Sequence, residues 1–302
     1  MTDVPQPTAA VAFTKGHGTR NDFVLLMDEA GAIDLTPALV RTLADRRGGI
    51  GGDGVIRAVR SGALPAGAGA EPQTWFMDYW NADGTTSEMC GNGARVFGAF
   101  LESQAGEDLS EGLDFMTRGG PRRVTAVGEC RYAIGMGAYV VGREGATTVE
   151  PFDSEVRATG LDVARPALSV NVGNPHHVVA LATGDELAAL DLTAAPTVTP
   201  APRNGSNVEF AVALGEREVA GEVRGWARMR VHERGSGETQ SCGTGACAVA
   251  LALSTWGGAD APRVWDIEVP GGEVTVRITD DATTLEGPAV LVADGVTIPA
   301  GA

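Results

Sequence analysis

Two segments of this chain place a cysteine immediately before closely spaced glycines: Cys90-Gly91-Asn92-Gly93-Ala94-Arg95 and Cys242-Gly243-Thr244-Gly245-Ala246-Cys247. A thiol at the start of a helix faces the unpaired N–H groups of the first turn and their partial positive charge. That field favours thiolate, a usable general base. Free cysteine titrates near ~8.5, so ionisation at neutrality needs about 2 kcal/mol of preferential stabilisation. A helix terminus supplies roughly 0.3–1 kcal/mol, up to ~2 when buried, so local partners decide the rest. The glycines let backbone amides approach a ligand carboxylate closely. Two such thiols suggest inversion at carbon without redox chemistry: a thiolate removes an α-proton from one face, and a thiol returns one to the other. Paired helix N-termini can stabilise the charge that develops. No lysine stands where a pyridoxal Schiff base would be obvious.

The other cysteines carry less. Cys130 lies beside a Gly-Glu turn with no twin and reads as structural or incidental. Cys247, five residues after Cys242, falls about 140° round a helix and belongs to its core face. His17, His176, His177 and His232 show no zinc spacing with these cysteines, so neither a metal nor a cofactor is expected.

Each motif needs elements that hold it, and the surroundings repeat as well. Asn81 and Glu233 each stand nine residues before their cysteine, and His17-Gly18-Thr19-Arg20-Asn21 echoes Asn171-Val172-Gly173-Asn174. The run 74–80 is aromatic and β-branched, reading as a strand, and Asn81-Ala82-Asp83-Gly84 supplies a turn. After Cys90, residues Val96, Phe97, Phe100 and Leu101 fall at helical spacing. In the second copy, 229–231 reads as strand, 235–237 as loop and 246–253 as a helix apolar all round, which must be buried on every side. Short strands are also expected at 11–13, 23–27, 169–172, 208–212, 267–269 and 274–278. The expected fold is therefore α+β: two pseudo-symmetric halves, each a curved, mostly antiparallel sheet wrapped around a central helix, with the active site in the cleft between them.

Composition bounds the partners. The 302 residues suggest two domains. A net charge of −16, from 39 acidic against 23 basic residues, repels phosphate backbones and anionic lipid, so no nucleic-acid or membrane partner is expected. The start of the chain lacks a signal-peptide pattern, and the longest apolar run, 242–256, is too short to span a bilayer. A cytoplasmic setting with free thiols follows as the expectation. The Pro/Ala/Gly-rich segments 63–70 and 194–202 read as tolerated surface insertions.

The ordered set of motifs resembles the diaminopimelate epimerase family nearly end to end. It comprises 13–23, Asn81-Ala82-Asp83-Gly84, Cys90 to Arg95, Gly173-Asn174-Pro175-His176, Asn207 and Glu233-Arg234-Gly235-Ser236-Gly237-Glu238-Thr239-Gln240-Ser241-Cys242-Gly243-Thr244-Gly245. The resemblance implies a cofactor-independent isomerase that interconverts LL- and meso-diaminopimelate, with Cys90 and Cys242 as the acid–base pair. It implies that Gly91, Asn92, Gly243 and Thr244 hold the reacting carboxylate, and that Asn21, Asn81, Asn174, Asn207, Glu233 and Arg234 line the substrate site. Arg234 can fork onto a carboxylate and Glu233 can accept from an ammonium. His176 and Glu233 match positions that tune the thiols. The halves become 1–135 plus 288–302, with the C-terminal strand returning to the first half, and 136–287. A homodimer is the family expectation. One departure is Gly54, where many members carry glutamine.

Proline racemase and hydroxyproline epimerase types share the two-thiol design but lack Glu233-Arg234 at this spacing. The phenazine-biosynthesis isomerase type uses an acid in place of cysteine. A thiol redox protein is disfavoured because no Cys-x-x-Cys occurs.

Overall fold

The computed structural model describes residues 10–143, 145 and 147–298. They divide into two compact units, the first ending at Ile134 and resuming at Gly287, the second running Gly135–Glu286.

The first unit begins with strands β1 (Ala12–Gly18) and β2 (Asn21–Met27), followed by helix α1 (Pro37–Ala44). Strands β3 (Gly54–Arg60) and β4 (Trp75–Asn81), helix α2 (Gly91–Ala105), and strands β5 (Leu113–Thr117), β6 (Gly120–Gly128) and β7 (Arg131–Gly137) come next. The last strand, β19 (Val290–Val296), pairs antiparallel with β1. From β1 to β7 the neighbouring pairs run antiparallel, parallel, antiparallel, parallel, antiparallel, antiparallel. β2 has four consecutive fully buried apolar residues because both of its faces are covered. Val24 and Leu26 pack with Leu35, Val40 and Leu43 around α1, while Phe23 lies beneath α2.

The second unit holds β8 (Val140–Val141), β9 (Ser154–Arg157), β10 (Arg165–Asn171), β11 (Pro175–Ala180), α3 (Gly184–Ala189) and β12 (Thr197–Thr199). It continues with β13 (Asn207–Val219), β14 (Glu222–Glu233), β15 (Gly237–Glu238), α4 (Gly243–Gly257), β16 (Val264–Val269), β17 (Gly272–Ile278) and β18 (Thr283–Pro288). The ladder β10-β11-β13-β14-β16-β17-β18 repeats the same six orientations in the same order. The internal repeat seen in the motifs is thus a repeat of whole-sheet topology. Two parallel steps in each ladder interrupt the antiparallel pattern. Each passes the chain across the sheet before it returns, and in both units the second parallel step is bridged by the central helix.

That helix, α2 or α4, is the core of its unit. Ala246 to Leu253 of α4 are all buried, as a helix without a polar face requires. The segments expected as surface insertions are more ordered than that. Residues 63–70 form short turns that bury Gly67, and 194–202 contributes β12, which pairs with β9 and buries Val198. Three β-branched residues between prolines, Thr197-Val198-Thr199, complete a sheet edge when a partner strand lies beside them. Among the described residues no helix is long and apolar enough to cross a membrane.

Candidate active site

In the first unit, Cys90 is the N-cap residue of α2. Its sulfur accepts the Gly93 N–H at 3.4 Å, and its thiol donates to Asn21 Oδ1 at 3.6 Å. A cysteine in the N-cap position does what serine or aspartate does elsewhere: it satisfies an orphan amide of the first turn. Asn21 follows a two-residue turn in which Thr19 and Arg20 both take left-handed φ, 49° and 63°. Such a turn suits the twist of a hairpin but normally calls for Asn-Gly, so this backbone is held by its contacts. Thr19 and Asn92 are both buried, and the Arg95 guanidinium donates to Asn92 Oδ1 at 2.8 Å and to Thr19 Oγ1 at 3.3 Å. Asn92 in turn donates to Asn21 Oδ1 at 3.4 Å, and Asn21 Nδ2 donates to Asp53 Oδ2 at 2.7 Å.

Asp53 belongs to a charged flank with Asp22, Lys15 and Arg46. Burial would raise the Asp22 carboxyl, but hydrogen bonds from Arg46 and Lys15 hold it well below the usual carboxylate range. Asn81 ends β4 opposite Gly54, and its amide donates to Thr85 Oγ1 at 3.0 Å within its own turn. Gly54 sits where a Cβ would lie 2.5 Å from the Trp80 carbonyl oxygen. Any side chain there, glutamine included, requires the backbone around Trp80 to shift.

In the second unit, Cys242 is the N-cap residue of α4, with the Gly245 N–H donated to its sulfur at 3.4 Å and Thr244 Oγ1 3.5 Å away. The surroundings differ in charge. Burial pushes the Cys242 thiol well above its ordinary value, and the carboxylates of Glu233 and Glu209 push it further, against the Thr244 and Gly245 contacts. Burial likewise raises the Glu233 carboxyl, although Thr239 and Cys242 donate hydrogen bonds to it. The helix field alone would favour the thiolate; here desolvation and two carboxylates outweigh it.

Beneath the same helix end, His176 and Glu209 are both fully buried, with Nδ1 2.7 Å from Glu209 Oε1. A carboxylate only accepts, so Nδ1–H is the donor of this bond. The other ring nitrogen, Nε2, lies 2.9 Å from the Asn174 side-chain oxygen Oδ1. Asn207, paired with His176 across the parallel β11–β13 step, accepts the Arg234 N–H at 2.9 Å. The Arg234 guanidinium donates to the Asn204 carbonyl at 3.0 Å.

Within the first unit, then, Cys90, Asn21, Gly91 and Asn92 gather at one helix end, with Asn81 in the turn that leads to it. Within the second, Cys242, Gly243, Thr244, Glu233, Asn174, His176, Asn207 and Arg234 belong to one hydrogen-bonded cluster or lie next to it in the chain. Three participants were not singled out from the sequence: Arg95, Asp53 and Glu209. Glu209 left a signal, a lone acid inside the apolar run 208–212 that reads as a buried strand. Among the described residues no group of three or more His, Cys, Asp or Glu side chains is arranged to hold a metal ion.

A sequence model of the family described as diaminopimelate epimerase matches residues 13–141 and 168–292. The diaminopimelate epimerase of Streptomyces coelicolor is 44% identical, over 94% of this chain and 94% of its own. That of Mycolicibacterium smegmatis is 41% identical, over 94% and 95%. Among solved structures, a phenazine biosynthesis protein of the PhzF family from Bacillus anthracis is similar with a TM-score of 0.65, covering 96% of this chain and 99% of its own. At 14% identity that likeness is one of fold.

Proposed function

Because this chain belongs to the diaminopimelate epimerase family, we propose that it interconverts LL- and meso-diaminopimelate by α-proton transfer between two thiols, without a cofactor. The observation that carries this is the matched pair of cysteine N-caps, each accepting the N–H of the third helical residue at 3.4 Å. A thiol in that position has an amide-rich helix end beside it, where a substrate carboxylate gains from N–H donors and the helix dipole. As the α-proton leaves, charge spreads onto that carboxylate, and the same donors stabilise it more strongly than in the ground state. One sulfur starts as thiolate and the other as thiol. After turnover the roles are exchanged, so the reverse reaction uses the same pair.

The substrate's second amino-acid head needs donors and acceptors in a desolvated site. Arg234, Glu233, Asn81, Asn174 and Asn207 supply both kinds, and Asn21 stands beside Cys90. The same assignment takes the enzyme as a cytoplasmic homodimer acting on a small molecule, with no nucleic-acid or membrane partner. The net charge of −16 supports the exclusion of polyanions.

Incubation of LL-diaminopimelate with the enzyme in deuterated buffer tests the assignment. Deuterium is expected at one α-carbon of the meso product. Exchange into free proline with none into diaminopimelate would instead favour a proline racemase type of activity.

A further inference from the structure

The central helices of the two units stand on equivalent strands, but on different floors. A Cβ at Gly93 of α2 would meet the ends of Met77, Ile56 and Phe23, all apolar. The equivalent glycine of α4, Gly245, would place a Cβ 2.8 Å from Glu209 Oε1 and 3.3 Å from Cys242 Sγ. Strand registers align Phe23 with His176 and Ile56 with Glu209: Phe23 pairs with Gly54 as His176 pairs with Asn207, and Ile56 and Glu209 each stand two residues further along. The second unit thus replaces an apolar pair with a buried imidazole–carboxylate pair directly under its catalytic helix end.

We propose that Glu209 is a positioning residue: its carboxylate anchors His176 and keeps the Cys242 sulfur protonated in the empty enzyme, so that the resting thiolate is Cys90. This rests on the assignment of both thiols to the proton transfer.

Three observations carry it. Glu209 Oε1 accepts the hydrogen bond of the His176 Nδ1–H, which turns Nε2 onto Asn174 Oδ1. Glu209 Oε2 is buried and accepts no hydrogen bond from the described residues. The groups facing Cys242 are Glu233 from β14 and Glu209 from β13, with His176 from β11 bound to the latter; neighbouring His177 instead meets Ser206 at 2.8 Å. Two carboxylates beside one sulfur disfavour a third negative charge. A pair of acid–base thiols needs one proton between them, which leaves Cys90 as the base that acts first.

The test titrates each thiol of the free enzyme by iodoacetamide labelling across pH, read peptide by peptide in a mass spectrometer. In the wild type Cys90 is expected to react at lower pH than Cys242. In Glu209→Gln the Cys242 midpoint is expected to fall by about one pH unit, equivalent to tenfold more thiolate at a given pH. The alkaline limb of kcat/KM should move down with it, while the Cys90 midpoint stays. A merely structural Glu209 would lower stability without moving either midpoint. An unmoved Cys242 midpoint in the folded variant overturns the proposal. So does a wild type in which Cys242 ionises first, a reading that needs no variant. Absence of any turnover of diaminopimelate would overturn the assigned reaction instead, while the titration still decides the role of Glu209.

Discussion

The ends of α2 and α4 have one backbone design and two electrostatic ones. Both begin with a cysteine cap, both have glycine at the third helical position, and both sit on a ladder of the same strand directions. Beside Cys90 stand the amides of Asn21 and Asn92, the latter pinned by Arg95. Around Cys242 stand the acids Glu233 and Glu209, and the position equivalent to Arg95 is Cys247, a buried member of the helix core. A duplicated scaffold can therefore supply matching geometry while the side chains beneath it set the proton affinity of each sulfur separately. That difference suits the proposed reaction, in which each turnover begins with one sulfur ionised and the other protonated.

The hardest way to break the comparison is to remove one cap. Cys90→Ala and Cys242→Ala are each expected to cost about 10²–10⁴-fold or more in kcat, since each deletes a general acid–base group. Far-ultraviolet circular dichroism should be unchanged. Turnover in either variant within tenfold of the wild type would mean that the two helix ends are not partners in one reaction.

How much of this could be read in the chain follows from the range of the interactions. The caps were legible because Cys-Gly-x-Gly is a local pattern repeated in register with Asn81 and Glu233. The burial of α4 was legible because 246–253 has no polar face. The parallel steps β2–β3 and β11–β13 were not, because they join strands separated by loops or a helix, and short apolar runs look alike whichever neighbour they take. Glu209 escaped for a related reason. An acid within a strand normally points to solvent, and only the fold shows that this one meets His176 33 positions away in sequence. Arg95 reads as the polar face of a helix until Thr19 and Asn92 are seen closing over it.

The two helical glycines sharpen the comparison at the level of packing. An alanine at position 93 meets the flexible ends of Met77 and Ile56 at 3.0 and 3.1 Å, which can give way, and alanine is the better helix former. Gly93→Ala is therefore expected to change unfolding free energy by less than about 1 kcal/mol. Alanine at position 245 meets Glu209 Oε1 at 2.8 Å, an atom held by His176. Gly245→Ala is expected to cost about 1–3 kcal/mol and to disturb the His176 ring. Urea denaturation with a histidine NMR spectrum of each variant checks both. Equal losses would mean that the floor under α4 is no more rigid than the one under α2.

The smallest expected difference lies in how the halves respond to pH. Asp22 has a folded pKa below its unfolded value of about 3.9, so its contribution to stability is present above that pH and is lost as pH falls further. Cys242 has a folded pKa above the unfolded value of about 8.5, so its contribution is present below that pH and is lost as pH rises through the folded pKa. Glu233 is raised too, so native protein holds its proton more tightly and acid spares that site. Hydrogen exchange followed peptide by peptide should then show β1 and β2 losing protection before α4 below about pH 4, and α4 losing it first above about pH 9. Asp22→Asn should remove most of the acid effect and Cys242→Ser most of the alkaline one. If both regions lose protection together at both extremes, the charges around the two helix ends are not what separates them.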